Sequence, residues 1–226
     1  MRVIFNEELK AVADDLDHMV KGVRKAINGA GDALLNQNLE AAQAVIDGDI
    51  EIDALEASVI DQCVKLLAKQ NPVATDLRVV VSTMRLATTF ERMGDLARHI
   101  AEAARRTYPA SPLPPETQTL FAEMQAFLND VADQTVAMLS DRDTKTAEQI
   151  ITNDDKLDEL HKKTFELAQS ENWSGTNQQL IDVVLIGRFM ERLGDHAVSA
   201  ARRVVYIVSG FDPTKEPTRD EGTDIA

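Results

Sequence analysis

Hydrophobic positions recur along this chain at steps of three and four for most of its length, the spacing of one face of an α-helix. Leu9, Val12, Leu16, Met19, Val23, Ala26 and Ile27 predict a first helix from Phe5 to about Leu35. Asn36-Gln37-Asn38 reads as a turn, and Val45, Ile52, Leu55, Val59, Cys63 and Leu66 mark one face of a second helix running to about Gln70. Asn71-Pro72 ends it, because a proline biases the residue before it out of helical backbone. Thr75 or Asp76 is placed to cap a third helix that reaches Thr107. Tyr108 to Pro115 holds four of the seven prolines and reads as a stiff linker at the midpoint of the chain. A fourth helix is predicted from about Glu116 to Leu139, a fifth from Thr144 to near Ser170, and a sixth from beyond the Glu171–Gly175 break to Ser209, with Gly210 as its C-terminal cap. The sixth helix carries Val183, Ile186, Met190, Leu193, Ala197, Ala200, Val204 and Ile207 in alternating steps of three and four, a bundle seam, and the third repeats that frame through Leu86, Phe90, Met93, Ala97, Ile100 and Ala104.

The two halves share more than a seam. Phe90-Glu91-Arg92-Met93-Gly94-Asp95 returns one hundred residues later as Met190-Glu191-Arg192-Leu193-Gly194-Asp195. Asp49-Ile50-Glu51-Ile52-Asp53-Ala54-Leu55 likewise returns as Asp154-Asp155-Lys156-Leu157-Asp158-Glu159-Leu160. Both halves therefore read D-x-x-[IL]-D-x-L, then E-R-x-G-D, in the same order. The expected fold is all-α: two tandem antiparallel three-helix bundles with internal pseudo-symmetry, spanning 1-107 and 116-209, with 108-115 between them and 210-226 as a disordered acidic tail.

Composition agrees with packed helices and narrows the partners. Hydrophobic residues make up 44% of the chain, but aromatics only 4%. The net charge of −14 would repel a phosphate backbone, so no nucleic acid is expected. Cys63 is the single cysteine and reads as a buried thiol, which suits a reducing, cytoplasmic location. The opening Met1-Arg2-Val3-Ile4-Phe5-Asn6-Glu7-Glu8 turns acidic at once and is not expected to be a signal peptide. No window approaches eighteen uncharged apolar residues, so no membrane span is expected either.

The acidic residues bring in the candidate chemistry. In the bundle frame Glu91 and Asp95, like Glu191 and Asp195, lie one turn apart and off the seam. Asp49, Asp53 and Glu56 flank the seam of the second helix, as Asp154, Asp158 and His161 flank that of the fifth. Asp49, Asp53, Glu91 and Asp95 are thus candidate metal ligands of one half, and Asp154, Asp158, Glu191 and Asp195 of the other. Glu56, His161 and His196 are secondary candidates. Carboxylates are the ligands of hard cations, and imidazole extends the choice to iron and manganese. Solvated acidic surface is the competing reading. The recurrence of the same residues in both halves favours a site, as do Gly94 and Gly194, each costing about 1 kcal/mol relative to alanine inside a helix. Either the close approach of a neighbouring helix or room for a ligand accounts for those glycines. Arg92 and Arg192 are read as local ion-pair partners, His18, His99 and His196 as surface or helix-end histidines, and Trp173 as packing over the end of the fifth helix.

With both motif pairs in this order over a chain of this length, the sequence resembles the PhoU family, accessory proteins of bacterial phosphate uptake and phosphate-starvation signalling. The family pattern often continues G-D-H-A-x-N. The second copy here reads Gly194-Asp195-His196-Ala197-Val198-Ser199 and the first Gly94-Asp95-Leu96-Ala97-Arg98-His99, so the metal of the two halves is expected to differ in number or kind. The resemblance implies a cytoplasmic protein carrying divalent or trivalent metal ions (Fe, Zn, Mg or Mn) on its E-x-x-x-D motifs. It also implies negative regulation, by linking the phosphate ABC transporter to a membrane sensor histidine kinase that stays quiet when phosphate is plentiful. Membrane association would then be peripheral, through partners only. Long helix faces also admit a second copy of the chain, a homodimer.

Two other functions compete. A di-iron or di-manganese oxidative enzyme needs a Glu-x-x-His pair on each of two helices. Glu91 and Glu191 are instead followed at the third position by glycine, and only Asp158-x-x-His161 approaches the pattern. A metal-free helical scaffold with acidic docking faces is the other. No catalytic triad, phosphate loop or dinucleotide fingerprint is visible, so no enzymatic activity is expected.

Overall fold

The computed structural model describes residues 2–211, so the expected disordered tail lies outside the described residues apart from Gly210 and Phe211. Seven α-helices follow in order, with no strand among the described residues: α1 (Arg2–Asn36), α2 (Leu39–Gln70), α3 (Ala74–Thr107), α4 (Gln118–Asp141), α5 (Thr144–Thr152), α6 (Asp155–Ala168) and α7 (Asn177–Ser209). The chain is all-α as its periodicity predicts. Its stops and starts are chemical. Asn38 accepts a bond from the Ala41 N–H to open α2, and Asp143 accepts one from Lys145 to open α5. Thr176 and Gln179 form a reciprocal capping box on α7, and Gly210 closes it in left-handed backbone with its N–H on the Tyr206 carbonyl. The third helix starts at Ala74, and its N-cap Val73 supplies no side-chain bond, so neither Thr75 nor Asp76 acts as the expected cap.

The fifth predicted helix is two. It breaks at Asn153-Asp154, between α5 and α6. Ile150, Ile151 and Thr152 are β-branched, and the Asn-Asp-Asp that follows has low helix propensity, although Asp154 makes no side-chain cap bond to α6. The Leu157 N–H reaches the Asp154 carbonyl at 2.9 Å, the tighter bonding of a new first turn. Asp154 thus sits at a junction, whereas its counterpart Asp49 lies within an unbroken 32-residue α2.

Helices α1, α2 and α3 pack on one another, and α4 packs on α5, α6 and α7, with α7 against α5 and α6. The halves meet through α3 against α7 and α1 against α4. Every predicted seam residue of α3 is buried, and so is every one on α7 except the half-buried Ile207. The buried apolar residues of the two halves form a continuous cluster in which Phe90, Met93, Phe121 and Met124 are fully enclosed. Each such side chain contributes about 2–3 kcal/mol of hydrophobic burial. Leu113 is buried, and the Gln118 amide donates to its carbonyl, which ties 108-115 down. Arg78 donates to the Ile207 carbonyl at 3.2 Å, and Arg106 pairs with the buried Asp182, so α3 and α7 run antiparallel. Both E-R-x-G-D motifs lie near the middle of that pair.

Candidate metal centre

Each half lays one helix across the glycine of its motif. A Cβ on Gly94 would stand 3.1 Å from the Ile52 side chain and 3.2 Å from the Asp49 carboxylate. A Cβ on Gly194 would stand 2.6 Å from Leu157 and 3.4 Å from the Asp154 carboxylate. Both glycines therefore serve close helix approach, and what that approach delivers is the first aspartate of the partner motif. Asp49 is consequently buried, only 7% exposed, over Gly94 and does not flank the seam at the surface as its spacing suggests. Glu91 and Asp95 are also largely covered, while Asp53 and Asp158 are exposed.

On the first face the carboxylates have an internal cation. Arg98, one turn beyond Asp95, donates from Nε to Asp49 Oδ2 at 2.6 Å, from Nη2 to Asp95 Oδ1 at 2.8 Å and from Nη1 to Glu102 Oε1 at 2.8 Å. Arg92 adds a contact of 3.2 Å to Asp95 and one of 3.5 Å to Glu91. Glu56 lies alongside and accepts a bond from the Thr88 hydroxyl at 2.9 Å. Burial pushes the Glu91 carboxyl up to about 6, helped by the charges of Asp95, Glu56 and Asp53 and opposed by Arg92. Burial also raises Asp49 against the Arg98 bond. At Asp95 burial acts upward too, but the Arg98 bond and charge, with His99 and Arg92, leave the carboxyl below its ordinary value.

The second face is built from the same motif and lacks that cation. Position 198 is Val198, buried in the core. Arg188, not the expected Arg192, pairs with Glu191 through Oε1. Burial and then the Asp158 and Asp195 charges raise Asp154, with Arg202 opposing them. Glu191 rises through burial and the Asp195 charge, against Arg188. Burial and the Arg188 charge lower His161, which keeps its imidazole neutral, the state that ligates metal.

Whether these residues suit an ion differs between the faces. Among the described residues no three His, Cys, Asp or Glu side chains already converge as a ligand set. On the second face, however, Glu191 Oε2 and His161 Nε2 are buried and have no hydrogen-bond partner. Buried polar atoms are seldom left so, and an unmet ion or water is a usual reason. Asp154, Asp158, Glu191, Asp195 and His161 therefore fit a metal ion, with side-chain adjustment. The first-face set of Asp49, Asp53, Glu91 and Asp95 does not fit, because Arg98 holds oxygens of both Asp49 and Asp95. Spacing within α3 carried a signal for this residue. Arg98 stands three after Asp95 and four before Glu102, each an ion-pairing distance on a helix.

The histidines are placed differently from expectation as well. His99 stacks on Phe189 of α7 with ring centroids 5.3 Å apart. His196 is half-buried, held below its ordinary value by burial and Arg192, with Asp195 opposing and Arg92 of the other half adding to the effect. Both belong to the α3–α7 seam. His18 alone is at the surface, 3.6 Å from Glu51. Trp173 packs partly buried against the core beside Gly175.

Antiparallel helices in two related halves, each laying a helix across a glycine to bring carboxylates together, define an all-α repeat protein with twinned acidic faces. The family described as the PhoU domain matches twice, over residues 16–104 and 121–204. The chain belongs to the PhoU family. It is 36% identical over 216 residues to the phosphate-specific transport system accessory protein PhoU homolog 1 of Mycobacterium tuberculosis, covering 96% of this chain and 98% of that relative. A PhoU homolog of Deinococcus radiodurans is 31% identical over 93% of this chain and 99% of its own. The crystal structure of PhoU from Pseudomonas aeruginosa superposes with a TM-score of 0.85 at 26% identity, covering 92% of this chain and all of that one.

Proposed function

We propose that this protein is a cytoplasmic accessory protein of a phosphate-specific transport system and a negative regulator of phosphate uptake and starvation signalling. It would link the phosphate ABC transporter to a sensor histidine kinase. The observation that carries the reading is the near full-length similarity to relatives named as accessory proteins of that system. No helix among the described residues is long and apolar enough to cross a membrane, which accords with reaching the membrane through partners. In this reading the chain works as two related bundles, 1-107 and 116-209, joined at 108-115.

Asp154, Asp158, Glu191, Asp195 and His161 would hold the metal ion of the second face, from among Fe, Zn, Mg and Mn. When bound, the ion supplies positive charge and coordination positions for oxygen ligands. The chain's own residues position that charge. Gly194 lets Asp154 approach α7, and Arg188 orients Glu191 through one oxygen while the other stays available.

Deleting the gene and measuring a starvation-induced phosphatase in phosphate-rich medium tests the regulatory role. The phosphatase should switch on, and the parent gene should switch it off again. A phosphatase that stays off in the deletion contradicts the role.

A further inference from the structure

The two faces share a motif, yet a charged group already fills one of them. Arg98 uses all three of its nitrogens on the first face, and each bond ends on a carboxylate. A guanidinium has no acceptor and keeps its charge at any pH the fold survives. An ion shared by Asp49 and Asp95 would need oxygens within roughly 2.0–2.6 Å of itself. Those oxygens instead point at N–H groups, and an entering cation would meet the arginine's own charge. Arg98 is itself about a quarter exposed, with a side-chain exposure of 27%, while Asp49 beneath it is at 9%, so the pair is sheltered from solvent screening.

On the second face Val198 occupies the corresponding place, one turn beyond Asp195 on the core side of α7. Arginines pair twice on the first face, through Arg92 and Arg98, and once on the second, through Arg188. Among the described residues, Glu191 Oε2 and His161 Nε2 of the second-face set are buried without a partner, whereas no atom of Asp49, Asp53, Glu91 or Asp95 is.

We infer that Arg98 is the resident cation of the first face, so that this face takes no metal ion and the repeated motif is split between a self-neutralised copy and a metal-binding copy. The inference rests on the metal reading of the second face for its second half only. One consequence is directional. A partner or oxyanion that recognises bound metal would approach the α6–α7 side and not the α2–α3 side. The first face would then hold α2 against α3 without responding to metal supply.

The test titrates manganese into the chelator-stripped full-length chain and counts ions bound. Glu91→Gln with Asp95→Asn should leave uptake at the parent's level, and Glu191→Gln with Asp195→Asn should abolish it. Arg98→Val, which copies Val198, should take up about twice the parent's amount, the excess vanishing when Glu91→Gln and Asp95→Asn are added. A fall in uptake on altering Glu91 and Asp95 in the parent overturns the inference, as does a folded Arg98→Val protein with no gain. Should the valine variant not fold, the Glu91→Gln, Asp95→Asn protein decides alone, because it retains Arg98. If the parent binds no manganese, the metal reading of the second face fails, and a double-mutant cycle judges Arg98 instead. Thermal unfolding of Arg98→Val, Asp95→Asn and their combination should then be non-additive, and additivity overturns the resident-cation role.

Discussion

Glu91 lies on the first face beyond the reach of Arg98, whose bonds end on Asp49, Asp95 and Glu102. It lies 3.5 Å from Arg92 and is 17% exposed, and its carboxyl is pushed up to about 6 by burial and by its acidic neighbours. An ordinary glutamate in the unfolded chain loses its proton near 4.5, so the folded state holds the proton more tightly. The protonated form therefore favours folding fully below about pH 4.5, and that benefit is lost as the pH rises through about 6. In metal-free protein, Glu91→Gln should be stabilising at pH 7.5 by up to about 2 kcal/mol, and close to neutral at pH 4. Urea unfolding of both proteins at the two pH values measures this. A variant less stable than the parent at pH 7.5 contradicts it. The motif made Glu91 and its companions legible as a cluster, because spacing alone puts them on one helix face. Spacing within α3 could not reveal that Arg98 reaches across to Asp49 on α2, since a contact between residues 49 apart depends on how the helices cross. Nor could it show that Asp49 is buried, which follows from the absent side chain of Gly94.

The two motif glycines mark where helices touch, and they are not equivalent. A methyl at 94 would press only on the terminal carbons of Ile52 and on the Asp49 carboxylate, at 3.1–3.2 Å. At 194 it would stand 2.6 Å from Leu157, which is fully buried and has little room to turn. Overpacking costs about 1–3 kcal/mol, against about 1 kcal/mol gained from alanine's helix propensity. Gly94→Ala should thus be near neutral and Gly194→Ala destabilising, read as thermal midpoints of the two purified variants. The opposite order would show that the close approach has been assigned to the wrong helix pair. Long seams were the most legible feature of these helices, because burial repeats every three or four residues along 24 to 35 residues. The break between α5 and α6 was not. Leu157, Leu160 and Thr164 keep an apolar stripe running past it, so hydrophobic periodicity is blind to a defect written in β-branched and Asn-Asp chemistry.

Contacts between the halves make the molecule more than two bundles on a linker. Gly31 of α1 faces Gln125 of α4, whose buried amide donates to the Ile27 carbonyl at 3.1 Å. A methyl there would lie 2.1 Å from that amide. Gly31→Ala should push the Gln125 amide off the Ile27 carbonyl, overpack the α1–α4 contact and cost about 1–3 kcal/mol. Because the core is continuous across α1–α4 and α3–α7, calorimetry should record one unfolding transition, moved down in temperature by the substitution. Two transitions with only one displaced would contradict that coupling. Neither Gly31 nor Gln125 stands out from the sequence, since each matters only through a partner on the other half. The same seam brings Arg92 of one half into the electrostatic environment of His196 in the other, so the two motif copies meet across it although only the first carries its own bridging arginine. The most direct test of this asymmetry is anomalous X-ray scattering at the manganese edge from crystals of the full-length chain grown with manganese. One peak should stand among Asp154, Asp158, Glu191 and Asp195, with Arg98 still bridging Asp49 and Asp95. A peak between Asp49 and Asp95 with Arg98 turned away, or no peak on the second face, would contradict the account.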